Sequence, residues 1–190
     1  MIDSSPDTEL HLLEQLRLGS EDAFTAIYKL YWEKLFFVAF KRLQVADDAK
    51  EVVQEVFLTL WQKRNTLQIQ SLPLYLSAMT RYAVYRMAAN NVRKKDQLKE
   101  KSHQAQKSIG ALDLDNKQLL DILVQLSNEL PEKHRIVFIH HKMLDQPLDE
   151  VAQMLGVSVR TAEGYTAKVM EFMRRHRQKL SLSAYILMLH

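Results

Sequence analysis

The sequence predicts an all-α protein: two small helical domains joined by a flexible linker, the second containing a helix-turn-helix. Three observations carry this expectation. Only four glycines and four prolines occur among 190 residues, of which 47% are hydrophobic. Apolar residues recur at i, i+3 and i+4 over long stretches, the period of an amphipathic helix. Between Lys94 and Asp113 that period fades into KKDQLKEKSHQAQKSIGALD, a polar run around Gly110. The expected boundaries are 1–93, a linker over 94–113, and 114–190, with the two domains as separate compact units.

The elements follow in order. EDAFTAIYKLYWEKLFFVAFKRL (21–43) places Phe24, Ile27, Tyr28, Tyr31, Leu35, Val38 and Ala39 on one stripe. DDAKEVVQEVFLTLWQKR (47–64) repeats the pattern with Ala49, Val52, Val53, Val56, Phe57, Leu60 and Trp61. Its acidic start and basic end suit the helix dipole. NTLQIQSLP (65–73) breaks the period and predicts a loop, and YLSAMTRYAVYRMAANNVRKK (75–95) is helical again. Four further helices are expected from Asn116: DNKQLLDILVQLSNEL, then PEKHRIVFIHHKML opened by Pro131, PLDEVAQML opened by Pro147 and closed by Gly156, and a last one capped by Ser158.

Charge divides along the chain in alternating blocks, although the total is only +3. Residues 1–64 carry −3, 65–107 carry +6, 108–155 carry −4 and 156–190 carry +4. Two basic blocks suggest two anion-binding surfaces. The absence of cysteine excludes disulfides, thiolate zinc sites and thiol catalysis, and fits a reducing cytoplasm. The acidic N-terminal stretch MIDSSPDTELHLLEQ has no signal-peptide core, and the apolar AYILMLH stretch is too short to span a bilayer. The tail SLSAYILMLH is expected to pack on the second domain.

A short helix, a turn with Gly156 and a longer helix make the helix-turn-helix. Val151, Ala152, Leu155, Val157, Ala162 and Val169 form its inner side, leaving Arg160, Glu163, Gly164 and Lys168 outward. The N-terminal residues of such a second helix meet the major groove. Arg160 suits guanine and Glu163 suits cytosine N4, whereas Thr161, Tyr165 and the Arg174, Arg175, Arg177 cluster suit phosphates. The competing reading is a pair of bundle helices with a solvated charged face. No HExxH, P-loop, GxSxG or GxGxxG motif supports catalysis. His140 and His141 project to different faces, and no third ligand accompanies His134 and His141, so neither metal nor small-molecule substrate is expected.

LPEKHRIVF (130–138) followed by LDEVAQMLGVSVRTAEGY (148–165) resembles domain 4 of the extracytoplasmic-function sigma factors of the sigma-70 family. DDAKEVVQEVFLTLWQKR resembles that family's core-polymerase-binding helix, and LPLYLSAMTRYAVYRMAANNVRKK resembles its −10-engaging helix. The resemblance implies a non-enzymatic, cytoplasmic promoter-specificity subunit. Its partners would be core RNA polymerase (β′ clamp helices and β flap), promoter DNA and an anti-sigma factor. By the same token the −35 element would be read through Ser158, Arg160, Thr161, Glu163, Gly164, Tyr165 and Lys168. The −10 element would meet Gln68, Gln70, Ser71, Tyr75, Arg81, Tyr82, Tyr85, Arg86 and Asn90, and core polymerase would meet Asp48, Glu51, Gln54 and Glu55. Gly164 and Thr166 depart from the family pattern, Thr166 by replacing an apolar residue. The alternatives are an autonomous, dimeric helix-turn-helix repressor, which leaves the first hundred residues unexplained, and a helical adaptor, which leaves the charge blocks unexplained.

Overall fold

The computed structural model describes residues 6–97 and 122–176, all its regular elements there being helical. Most of the expected linker, the start of the helix expected from Asn116, Arg177 and the apolar tail lie outside the described residues. The first half comprises α1 (Pro6–Arg17), α2 (Glu21–Leu43), α3 (Ala46–Lys63) and α4 (Leu72–Gln97). The second comprises α5 (122–129), α6 (Glu132–Val137), which runs into a π-helical turn (Phe138–Met143), α7 (Leu148–Met154) and α8 (Val159–Arg175).

The first core is built from the stripes that periodicity marks. Ile27, Tyr31 and Leu35 of α2, Val52, Val53, Val56, Phe57 and Leu60 of α3, and Leu72, Leu76, Ala83 and Val84 of α4 are buried together. Ser20 caps α2, its Oγ accepting from the Ala23 amide at 3.2 Å. Each fully buried aliphatic or aromatic side chain contributes about 1.5–3 kcal/mol. Helix α1 is not among the elements expected from periodicity. Its stripe is blurred by an exposed Leu10, and what seats it is tertiary: Leu13 and Leu16 enter the core, and the Tyr31 hydroxyl donates to Glu9 Oε1 at 2.6 Å. Burial raises the pKa of the Glu9 carboxyl. Burial and the neighbouring Glu9 push the Tyr31 phenol up, which keeps it a donor.

The helix-turn-helix forms where expected. Gly156 has φ 65°, and the Val157 amide bonds Ala152 O while the Gly156 amide bonds Gln153 O, the paired bonds that close a helix on a left-handed residue. Ser158 caps α8 through its Oγ, which accepts from the Thr161 amide at 3.2 Å. Val151, Ala162 and Val169 are fully buried, and Leu155 and Val157 are only half-buried. The Thr166 hydroxyl turns back to Ala162 O at 3.0 Å, which satisfies the polar group that replaces an apolar one.

Two findings differ from the sequence expectation. PEKHRIVFIHHKML is not one regular α-helix: after Val137 the chain widens into the π turn, the Leu144 amide bonds Ile139 O, and Asp145 follows in the left-handed region at φ 54°. The two halves, expected as separate compact units, pack on one another. Leu74 and Ala78 of α4 share a buried cluster with Leu123, Leu126, Leu130, Phe138, Ile139, Met143, Val169 and Met173. Helix α4 also extends to Gln97, beyond the start of the expected linker. The physical reason for the contact is that Phe138 and Met143 of the π turn, with Val169 and Met173 of α8, form an apolar surface that Leu74 and Ala78 of α4 complete. Phe138→Ala, which removes a side chain only 1% exposed at the centre of this cluster, is expected to cost about 3–5 kcal/mol in urea unfolding, against near-neutrality for a surface change such as Glu132→Ala.

Candidate nucleic-acid interface

Helix α8 presents two faces with different jobs. Ala162, Val169 and Met173 fix it to the body, and Arg160, Glu163, Gly164 and Lys168 stand exposed. Ser158 and Thr161 are already engaged in the cap, their hydroxyls 2.8 Å apart. Tyr165 is half-buried with its ring 4.6 Å from that of His134, so packing shares it with any phosphate contact. Burial, with Lys168 nearby, holds the His134 imidazole below its ordinary pKa, favouring the neutral ring. At the far end Arg175 pairs with Glu171 within the helix, and Arg174 donates back to Met170 O. The outward N-terminal half is therefore rigidly seated and polar, as groove reading requires.

The second candidate surface lies along α4 and the loop before it. Gln68 and Gln70 are exposed, Ser71 half-buried, and Gln70 Oε1 accepts from Asn128 of the second half at 3.3 Å. Tyr85 is 44% exposed, Tyr82 half-buried against the shared cluster, and Asn90 half-buried. Tyr75 and Arg81, grouped with them from the sequence, are buried. Burial raises the Tyr75 phenol to about 12. Arg81 is only 1% exposed, and its Nε donates to Met143 O at 3.0 Å while Nη2 reaches Lys142 O and Asp145 Oδ2. Burial first, and then the neighbouring Arg42, lower its pKa to about 10, still charged at neutral pH.

The expected polymerase-docking residues lie along α3. Glu51 and Gln54 are exposed and Asp48 half-buried. Glu55 is half-buried too, because both its carboxylate oxygens accept from Arg86 Nη2 of α4. Two residues assigned to different surfaces from the sequence thus bind each other.

Sequence reasoning missed Asp145. Its carboxylate receives Arg42 Nη1 at 2.7 Å and Arg81 Nη2 at 3.1 Å, with Lys41 Nζ at 3.5 Å. No local signal could have found it, since its partners lie 103 and 64 residues away in sequence. Among the described residues no group of three potential ligands could hold a metal, and no helix is long and apolar enough to cross a membrane.

Gly164 faces open space, with nothing within 4 Å of an added Cβ. Packing therefore does not demand glycine there. Gly164→Ala is expected to raise the unfolding free energy by about 1 kcal/mol in chemical denaturation, since the helix loses only a flexible residue.

Comparisons with known proteins place these surfaces in a family. The Sigma-70 region 2 model matches residues 27–94, and that of Sigma-70, region 4 matches residues 120–173. No curated protein matches the chain. Among solved structures the chain is similar to one described as CnrH in complex with the cytosolic domain of CnrY, at 18% identity, covering 90% of this chain and 97% of that chain with a TM-score of 0.40. With region 2 on α2 to α4 and region 4 on the helix-turn-helix half, the chain belongs to the sigma-70 family and is an RNA polymerase sigma factor with the domain content typical of the extracytoplasmic-function group.

Proposed function

We propose that this sigma factor reads a −35 element with the exposed N-terminal half of α8 and captures an unpaired −10 element with α4 and the loop before it. The observation that carries the reading is the division of α8: Ala162 and Val169 lock the helix while Arg160, Glu163 and Lys168 stand clear of the body. Arg160 and Glu163 read base edges, and Lys168, Thr161, Tyr165 and Ser158 position the backbone. Gln68, Gln70 and Ser71 receive a displaced base, and Tyr82, Tyr85, Arg86 and Asn90 supply stacking and charge along the strand. Tyr75 supports this surface from within the core, and Arg81 joins it once the two halves part.

The partners are core RNA polymerase and promoter DNA. The exposed face of α3, with Asp48, Glu51 and Gln54, offers acidic steering toward the β′ clamp helices, and Glu55 sets the position of Arg86. The second half meets the β flap, and an anti-sigma factor regulates the chain. No catalytic step belongs to the protein itself. Strand opening draws on binding energy alone.

Run-off transcription from a promoter library, with core polymerase alone and with this chain added, tests the reading. Specific transcripts are expected only in the second case; duplex binding by the free chain without transcripts would favour a repressor. Arg160→Ala is expected to cost about 1–3 kcal/mol and to relax selection at one −35 position. Arg175→Ala should weaken all promoters alike and reduce the salt slope. Joint replacement of Gln68, Gln70 and Ser71 by Ala should leave duplex affinity nearly unchanged and lower open-complex formation, with about 0.5–1.5 kcal/mol lost per hydrogen bond to the captured base. A premelted template should restore part of it.

A further inference from the structure

The backbone-positioning flank of α8 has a neighbour on another helix. Thr161, Tyr165 and Lys168 follow at i, i+4 and i+7, so they share one side of α8, beside its buried face. Helix α6 packs against α8, and His134 of α6 brings its ring to 4.6 Å from that of Tyr165, tilted by 45°. Lys168 is close enough to act on the imidazole electrostatically. His134 is half-buried, and its two nitrogens differ. Nδ1 is enclosed without a hydrogen-bond partner, which leaves Nε2 as the outward nitrogen.

A nitrogen enclosed without an acceptor carries a proton at a cost, so the neutral ring keeps its hydrogen on Nε2. Nε2–H is then a donor aimed away from the core, next to an ammonium and a phenol that can donate to the same anion. Burial first, and then Lys168, hold the imidazole below its ordinary pKa. The other titratable groups around α6 are engaged elsewhere or stand in solvent. His140 Nδ1 meets the Gln146 side chain, His141 Nδ1 meets Gln146 O, Lys142 lies by Asp145, and Glu129 faces His176. Glu132 and Lys133 of α6, Asp149 and Glu150 of α7, and Arg160 and Glu163 of α8 are exposed, and Arg135 is half-buried. Among the described residues, the charge that acts on the ring is the Lys168 ammonium. A phosphate at Nε2 reverses that balance, because an anion favours the imidazolium and the Tyr165 face accommodates the added charge.

We propose that His134 is a further backbone-contacting residue of the −35 interface: its Nε2–H donates to a DNA phosphate shared with Tyr165 and Lys168, and that phosphate draws a proton from solvent onto Nδ1, so that affinity for the −35 element rises as pH falls. This rests on the assignment of α8 to the −35 duplex. The bound imidazole holds its proton more tightly than the free one. The extra affinity is therefore fully present below the pKa of the free ring and is lost as pH rises through that of the bound ring. Above that window the contact is a neutral hydrogen bond; within it, the contact is an ion pair.

Titration of duplex carrying a −35 element selected with the parent chain, at about pH 8 and about pH 6 with the chain bound to core polymerase, tests the contact. Parent affinity should rise about fivefold at the lower pH. His134→Gln keeps a donor but cannot take up the charge, so its affinity should differ by less than about twofold between the two conditions. His134→Arg is charged in both. It should bind more tightly than the parent at the higher pH, lose the pH dependence, and steepen the salt dependence by about 0.9 in logarithmic slope. Arginine would not improve a merely structural histidine. Parent affinity that is flat between the two conditions, a rise that survives in His134→Gln, or His134→Arg binding no tighter than the parent at the higher pH would overturn the contact and leave the −35 reading standing. Failure of the parent chain to select any duplex at either pH would overturn the −35 reading itself, and this inference with it.

Discussion

One guanidinium holds the two halves in register. Arg81 leaves water to satisfy two terminal carbonyls and one carboxylate on the opposite half. A buried charge without such partners would be untenable, and breaking a buried pair by removing one member costs about 3–5 kcal/mol. The arrangement needs the π turn, because widening the helix after Val137 turns the Lys142 and Met143 carbonyls toward α4. It also needs the left-handed backbone at Asp145, which swings the carboxylate between Arg42 and Arg81. The apolar part of the contact, Leu74 and Ala78 against Phe138 and Met143, excludes water and so strengthens the polar part.

The remaining architecture serves two exposed surfaces. The first core holds α3 and α4 side by side, which sets Glu55 against Arg86 and leaves Glu51 and Gln54 free to meet a partner. The second core seats α8 by its C-terminal half, through Val169 and Met173, so its N-terminal half projects. A reading helix gains specificity from such seating, because a rigid side-chain origin loses less freedom when it engages a base edge. Ser158 and Thr161 fix the helix start at the same place, so they set the geometry of the presented N-terminal half.

The amino-acid sequence by itself determined whatever is local or periodic. The stripes of α2 and α3 were legible because 3.6-residue spacing directly reports the buried face, and Ser158 and Gly156 were legible because caps and left-handed turns are chemical signatures of a helix end. Division of α8 into a seated and a presented side followed from the same spacing. Family membership was legible for a related reason: two motifs in the right order mark the two family regions that match residues 27–94 and 120–173. Tertiary structure alone decided what depends on residues far apart. Tyr75 and Arg81 share the composition of exposed strand-binding residues, but long-range packing buries them. Helix α1 required the Tyr31–Glu9 bond to find its place, and Glu55 was diverted to Arg86 by the approach of α4. Asp145 carries no local mark of importance, since its value comes entirely from cations contributed by α2 and α4. Periodicity specifies which face of a helix turns inward; only the assembled chain specifies what that face meets, because burial energy is indifferent to the partner and the charges that discriminate between partners are brought together by folding.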